Sequence, residues 1–306
     1  MKLKVAISTS SFAQISDGPK KMLEEAGFQV ALNPYGRRLT EDEIIAHLKG
    51  VAGLIAGTEP LTQKVLSSAH ALKAIARVGI GMENVDLTVA EELGIKVSNT
   101  PDCPPQSVSE MAIAALLTLC RKLISMNTSL HSGHWKRQIG VSLAGTKVLV
   151  VGYGRIGREM ARLLRGFGAR VFVCDPLIDK SSVVEGEEVV RLDDGLKIAD
   201  VITLHASGKD LILGKKEFDN MREGVIVLNS ARGELMDESA LIEALQNGKV
   251  AGAWCDAFSQ EPYKGRLIEF EQVLLTPHAS AYTRQCRLAM EIQAVQNLIR
   301  DLKEAT

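Results

Sequence analysis

Short apolar runs alternate with amphipathic stretches along the first hundred residues. Residues 3–8, 29–32, 53–56, 72–76 and 96–98 read as strands, while residues 20–26, 40–48, 62–69 and 88–93 carry apolar positions at helical spacing. Several of the helical stretches open on Ser, Thr or Asp, whose side-chain oxygen can accept an orphan helix amide. Strand-helix alternation of this kind implies a parallel sheet with helices on both faces. The run Asn99-Thr100-Pro101-Asp102-Cys103-Pro104-Pro105 interrupts it. Its prolines fix φ and lack a donor, so neither element continues, and the segment reads as a hinge or domain crossing. Helices are expected next at residues 107–121 and 123–132.

A second α/β series follows, with strands at residues 147–151, 170–174, 201–204, 225–228, 250–255 and 273–275. A final helix over residues 282–302 carries Leu288, Ile292, Val295 and Ile299 on one stripe and is expected to pack back on the first domain. The two series share no repeat, which implies two distinct α/β domains.

Length agrees with that division, since 306 residues exceed one ordinary core. With 36 Lys+Arg against 37 Asp+Glu there is no basic field to hold a phosphate backbone or anionic lipid, so nucleic acid is not expected as a ligand. The longest apolar stretch, residues 111–120, is too short to span a bilayer, and the N-terminal residues lack the apolar core of a secretory signal. Five cysteines, none in a C-x-x-C pair, suggest reduced thiols in a cytoplasmic protein. No metal is expected: His131 and His134 lie close together but lack a carboxylate or thiol at ligand spacing.

The chemistry begins at Val148-Leu149-Val150-Val151-Gly152-Tyr153-Gly154-Arg155-Ile156-Gly157, a G-x-G-x-x-G directly after an apolar strand and at the start of a helix. Gly152 permits a tight turn, Gly154 lets the backbone approach a pyrophosphate, and Gly157 lets helix and strand pack closely. The helix N-terminus offers its amides to the anion. The next strand ends in Asp175, where a carboxylate would bond the adenosine ribose hydroxyls and repel an extra phosphate. NAD is therefore expected over NADP.

Three further segments end strands of the same domain, where open α/β sheets bind ligands: Val225-Ile226-Val227-Leu228-Asn229-Ser230-Ala231-Arg232-Gly233, Trp254-Cys255-Asp256-Ala257-Phe258-Ser259-Gln260-Glu261-Pro262 and Leu274-Leu275-Thr276-Pro277-His278-Ala279-Ser280. With these, the glycine fingerprint and Arg77-Val78-Gly79-Ile80-Gly81-Met82-Glu83-Asn84-Val85-Asp86, the chain resembles the D-isomer-specific 2-hydroxyacid dehydrogenase family from about Gly57 to Leu302. Within it, the chain looks most like short phosphoglycerate dehydrogenase-like members.

That resemblance implies an α/β fold of two Rossmann-like, doubly wound parallel-sheet domains. An NAD-binding domain at residues 101–282 would be inserted into a discontinuous substrate domain, residues 1–100 and 283–306. By the same resemblance Arg232 would clamp the substrate carboxylate and keto oxygen, His278 would be the acid/base, and Glu261 would fix its tautomer and favour the imidazolium. Arg77, Val78, Gly79, Ile80 and Gly81 are the expected substrate loop, offering backbone amides to the carboxylate from the other side of a cleft. Cofactor contacts are expected from Arg155, Ile156, Asp175, His205, Ala206, Ser230, Ala231 and Asp256, the last at the nicotinamide carboxamide, with Ser107 or Val108 lining the nicotinamide side. The implied activity is hydride transfer between NAD and C2 of a D-2-hydroxy acid, with 3-phosphoglycerate the best single substrate. Arg37, Arg38 and Arg77 are candidates for its phosphate, and Tyr282, Arg284 and Arg287 could also shape or charge the pocket. The alternative on this scaffold is a non-catalytic NAD(H)-sensing or corepressor-like protein. A homodimer built around residues 107–135 is expected. The Ala112, Ala115, Leu116 and Leu119 stripe fits either that interface or an ordinary core.

Overall fold

The computed structural model describes residues 2–304, so positions 1, 305 and 306 of the expected substrate domain lie outside the described residues. The chain divides into two compact units, Met1–Pro104 with Tyr282–Thr306, and Pro105–Ala281.

The first unit is a five-stranded parallel sheet of β1 (Lys4–Ile7), β2 (Gln29–Ala31), β3 (Gly53–Ala56), β4 (Ala74–Arg77) and β5 (Lys96–Ser98), in the order β2-β1-β3-β4-β5. The connecting helices are α1 (Gly18–Glu25), α2 (Glu41–His47), α3 (Gln63–Ser68) and α4 (Leu87–Glu92). The caps expected at Thr40 and Thr62 form, accepting the amides of Glu43 and Val65, and Glu43 returns a bond to Thr40; the fourth helix starts earlier than residue 88, capped by Asp86, which accepts Val89 N. One face of the sheet packs Ala6, Leu54, Ala56 and Ile75 against Ile44, Val65, Leu66 and Ala90. The other is covered by α1 and the terminal helix Arg284–Glu304. A side chain at Gly53 would meet Leu298 and Leu302, so the helix lies directly on β3.

The stripe expected on that helix is shifted. Met290, Ala294, Val295, Leu298 and Leu302 are buried, whereas Leu288, Ile292 and Ile299 are only half-buried. Arg287, Glu291 and Asp301 share the buried face. Charged residues in the stripe masked it from a reading based on apolar period.

In the second unit α5 (Pro104–Cys120) and α6 (Leu123–His131) precede a seven-stranded parallel sheet. Its strands are β6 (Lys147–Val151), β7 (Arg170–Cys174), β8 (Glu187–Val189), β9 (Val201–Leu204), β10 (Val225–Asn229), β11 (Val250–Cys255) and β12 (Val273–Leu275), ordered β12-β11-β10-β9-β6-β7-β8. The strand order reverses at the β6/β9 pair, the switch point where doubly wound sheets bind nucleotides. α7 (Arg155–Gly166) and α5 cover one face, with Met160, Ala161, Leu164, Ala112 and Leu116 packed on Val148, Val150 and Trp254. α8 (Leu192–Ile198), α9 (Lys215–Asn220) and α10 (Glu238–Gln246) cover the other, where Leu149, Val151, Ile202 and Val227 point. The alternation along β6 is the period of two that a strand buried on both faces requires.

Two expectations are corrected. Pro104 and Pro105 begin α5 rather than end the preceding region, because the first helical turn needs no intrahelical N–H from them. The edge strand β8 was not expected from Glu187-Glu188-Val189. Glu187 is nevertheless buried, accepting the Tyr153 hydroxyl and pairing with Arg165 at 3.4 Å. The stripe Ala112, Ala115 and Leu116 is core of this unit. No helix of the described residues is long and apolar enough to cross a membrane.

Candidate active site

At the β6/β9 switch point the glycine loop meets the end of β9. Gly152 has φ +89, and a Cβ there would run into Ala206 N and sit 2.6 Å from His205 C. Only glycine permits both the backbone angle and the approach. His205 N donates to Val151 O at 2.7 Å, completing the join. Its Nε2 pairs with Thr203 Oγ1 at 2.8 Å, while burial holds its pKa down to about 4, so the ring is neutral. No atom lies within 4 Å of a Cβ built on Gly154, which leaves open space beside the N-terminus of the twelve-residue α7. Asp175 closes this corner, accepting Tyr153 N at 2.7 Å and Leu177 N at 2.8 Å. Ser109 Oγ donates to Ile156 O at 3.3 Å, so α5, which carries Ser107 and Val108, runs beside the same loop. Ser230 Oγ is buried without a hydrogen-bond partner, a group left for something the protein does not supply. A dinucleotide fits these features: an open helix start, a carboxylate at the end of the next strand and an orphaned hydroxyl.

The proposed chemical groups gather at the ends of β10, β11 and β12. Asn229 ends β10 fully buried; its Oδ1 accepts Ala231 N at 3.0 Å and its Nδ2 donates to Arg232 O at 2.8 Å. This bracket fixes the turn that carries Arg232, whose Nη1 donates to Ala231 O at 2.7 Å. A side chain at Gly233 would collide with Ser259 N and Phe258 C, so its absence lets that turn touch the Glu261 loop. Phe258 N donates to Glu261 Oε1 at 3.1 Å, and the Phe258 ring stacks on Tyr263 at 4.2 Å.

Across from it, His278 Nδ1 lies 3.0 and 3.1 Å from the two Glu261 oxygens. The bond to Glu261 raises the His278 pKa above the usual imidazole value, against burial and the nearby Arg232 charge, which lower it. Burial pushes Glu261 upward, but His278, the Phe258 amide and Arg232 outweigh it, and its pKa falls below the usual carboxylate value. His278 has φ 51, a left-handed conformation uncommon outside glycine.

What holds that conformation is Asp256. Its Oδ1 accepts Thr276 Oγ1 at 2.5 Å and Ala279 N at 2.9 Å; its Oδ2 accepts Ser280 N at 3.0 Å and Ser280 Oγ at 2.5 Å. Trp254 Nε1 in turn donates to Thr276 Oγ1 at 2.9 Å. Expected at the nicotinamide, Asp256 is 1% exposed and has four donors on a carboxylate that offers about four lone-pair sites. Sequence reading assigned no role to Asn229, Thr276 or Ser280, although each stood within a quoted segment. A polar residue beside a strand end was the available signal.

In the first unit, residues 78–81 follow β4. Val78 N donates to Ala56 O at 2.9 Å and Gly79 N to Thr100 Oγ1 at 2.7 Å, so these two amides serve the fold. Ile80 N and Gly81 N have no recorded hydrogen bond among the described residues. Arg77 Nη1 donates to Val78 O at 3.0 Å and folds over Gly79. No group of three or more His, Cys, Asp or Glu among the described residues is arranged to hold a metal.

Comparison with known proteins agrees with this geometry. Residues 113–280 match the family model described as D-isomer specific 2-hydroxyacid dehydrogenase, NAD binding domain. The chain is 34% identical over 276 residues to human D-3-phosphoglycerate dehydrogenase, covering 88% of this chain and 51% of the relative. It is 32% identical over 274 residues to hydroxypyruvate reductase of Thermotoga maritima, covering 86% and 89%. A crystal structure of the TT0316 protein from Thermus thermophilus superposes with TM-score 0.91 at 30% identity, covering 99% of this chain and 97% of that one. The chain belongs to the D-isomer specific 2-hydroxyacid dehydrogenase family, with NAD as its cofactor. It spans about half the length of the curated phosphoglycerate dehydrogenases it matches.

Proposed function

We propose that this chain is an NAD-dependent oxidoreductase acting between a D-2-hydroxy acid and its 2-keto acid. The observation that carries the reading is the His278–Glu261 pair at 3.0 Å, with Arg232 near enough to bias both charges, in the unit that bears the glycine loop. When bound, NAD supplies the hydride acceptor at its nicotinamide ring. Gly152, Gly154, Arg155, Ile156 and Gly157 would hold its pyrophosphate, Asp175 its ribose, and His205, Ala206, Ser230 and Ala231 the remainder. Arg232 would hold the substrate carboxylate and keto oxygen through its paired donors, and in the first unit the Ile80 and Gly81 amides are left for an anion.

His278 Nε2 carries the proton. With Nδ1 engaged by Glu261, the other ring nitrogen is left to donate to the carbonyl oxygen during reduction and to accept from the hydroxyl during oxidation. Asp256 acts through the histidine, by fixing residues 276–280, and we assign it that positioning role rather than a nicotinamide contact.

For the substrate, likeness to D-3-phosphoglycerate dehydrogenase supports 3-phosphoglycerate, and likeness to hydroxypyruvate reductase supports an unphosphorylated acid. The test is NADH consumption against a panel of 2-keto acids. We expect His278→Ala to lose about 10² to 10⁴-fold in kcat while still binding NADH. Undiminished turnover by that variant would refute the mechanism. NADH binding without turnover of any acid by the unmodified protein would favour a sensor.

We also propose a homodimer, with a second copy covering the apolar surface of α6 and the segment after it, where Trp135 is 82% and Ile139 93% exposed, beside Leu123, Ile124 and Leu130. Light scattering should give twice the chain mass, and Trp135→Ser should shift it toward the monomer. A monomeric unmodified protein would remove the proposal. All five cysteines are free thiols, which supports a cytoplasmic setting.

A further inference from the structure

We infer that Tyr263 is a positioning residue: its hydroxyl ties the loop that carries Glu261 to the start of α10, and through Glu261 it keeps the His278 ring set for proton transfer. The inference rests on the dehydrogenase reading above and adds to it a residue that acts through two others.

The need for such an anchor comes from the exposure of the pair. The Glu261 side chain is 36% exposed and that of His278 51%. An ion pair so open to water gains little by itself, so the backbone must present the carboxylate at Nδ1. Glu261 lies in the connection between β11 and β12, residues 256–272. The start of that connection is held where Asp256 N donates to Asn229 O at 2.9 Å, well before Glu261.

Tyr263, two residues after Glu261, holds the other side. Its hydroxyl donates to Glu238 Oε1 at 2.9 Å and accepts Leu267 N at 3.0 Å. Both partners are fixed points. Glu238 is the first residue of α10, which Asp237 caps by accepting Ser239 N and Ala240 N, and which packs Ala240, Leu241, Ala244 and Leu245 into the core of the second unit. Leu267 is buried in the single helical turn Arg266–Glu269. A Cβ at Gly265 would run into the Tyr263 hydroxyl and sit 2.7 Å from Glu238 Oε1, so glycine leaves the space that their bond occupies. Burial, helped by Glu238 and the Cys255 thiol and opposed by the Leu267 amide, pushes the Tyr263 pKa up to about 12, and the hydroxyl keeps its proton to donate.

The ring carries the constraint to Glu261. It stacks on Phe258 with centroids 4.2 Å apart and planes inclined by 24°, while the Phe258 backbone abuts Gly233, where no side chain fits. Phe258 N donates to Glu261 Oε1 at 3.1 Å, so a fixed Phe258 gives the carboxylate a fixed donor. The other charges near His278 are Asp256, which favours the imidazolium, and Arg232, which opposes it; Tyr263 bears on the ring through Glu261.

The experiment is Tyr263→Phe in the full chain, which keeps the aromatic ring and removes both hydroxyl bonds. His278 is titrated by the NMR signals of its ring protons, assigned among the six histidines by their absence in His278→Ala. Keto-acid reduction is followed against pH, and NADH binding is measured separately by fluorescence. We expect the His278 midpoint and the basic limb of the reduction profile to move together to the acid side. Near neutral pH kcat should fall about 3 to 10-fold, part of what an acid/base group contributes, with NADH affinity within about twofold. Glu238→Gln keeps an acceptor for the hydroxyl and should leave the His278 midpoint where it is, whereas Glu238→Ala should move it to the acid side by less than Tyr263→Phe. An unmoved midpoint in Tyr263→Phe, or NADH affinity lost in step with kcat, would overturn the inference. Should that variant fail to fold, Glu238→Ala carries the same test, and an unmoved midpoint there would overturn it. Turnover of no acid by the unmodified protein would overturn the dehydrogenase reading, while the NMR midpoints would still decide whether Tyr263 holds the pair.

Discussion

After β6 the chain turns on Gly152, whose α-carbon faces Ala206 with no room for a side chain; after β4 it turns through residues 78–81, held by bonds from Val78 to Ala56 and from Gly79 to Thr100. Both loops end parallel strands and both are proposed to receive an anion. One is shaped by backbone crowding and the other by hydrogen bonding, so they should fail differently. The titratable groups of the proposed reaction also lie in the second unit. Damage there should reach cofactor binding and kcat, whereas damage to the first unit's loop should reach substrate KM.

Gly152→Ala should cause the largest loss. The methyl would need both a left-handed φ and room that the Ala206 backbone already fills, and NADH affinity should fall about 100-fold or more by fluorescence titration. Binding within a few-fold of the unmodified protein would mean that the crowding is relieved cheaply. Thr100→Val should be milder. It leaves the Gly79 amide without its acceptor, and we expect KM for the keto acid to rise about 10-fold while kcat and NADH affinity hold. A fall in kcat of similar size would dissolve the contrast between the units.

The smallest effect separates charge from geometry. Glu261→Gln keeps a group beside His278 Nδ1 but removes the charge that raises its pKa. The protonated imidazole needed for reduction would then be lost at lower pH, and the basic limb of the reduction profile should move to the acid side. In the oxidation direction the same change lets the basic form appear at lower pH. An unmoved profile would show that another group titrates in the rate. Stability follows the same sign: the pair's contribution is present below the unfolded imidazole pKa and fades as pH rises through the raised folded value. His278 is partly exposed, so this contribution is small.

Much of this was legible because apolar period and glycine spacing are local properties. The strands at residues 53–56, 147–151, 201–204 and 250–255 fall where the runs placed them. The capping residues Thr40 and Thr62 do as their positions suggest. Arg232, Glu261 and His278 stood out as polar residues past strand ends, and the fold gathers them. What escaped was non-local. The β8 edge depends on Arg165 and Tyr153 to bury Glu187, and the stripe of the terminal helix includes Arg287 and Glu291, which bond Ser11 and Ala13 far away in the sequence. Which loop amides are occupied was likewise unreadable, because Thr100 is distant in sequence from Gly79.

The four bonds into Asp256 have a consequence for time scale. Ala279 and Ser280 belong to a connection between elements, yet their amides bind a carboxylate that is 1% exposed. Their protons should exchange with solvent only when this part of the second unit opens, far more slowly than those of an ordinary surface loop. The histidine is thus mounted on a segment that is ordered before any ligand arrives, and turnover need not wait for that segment to assemble.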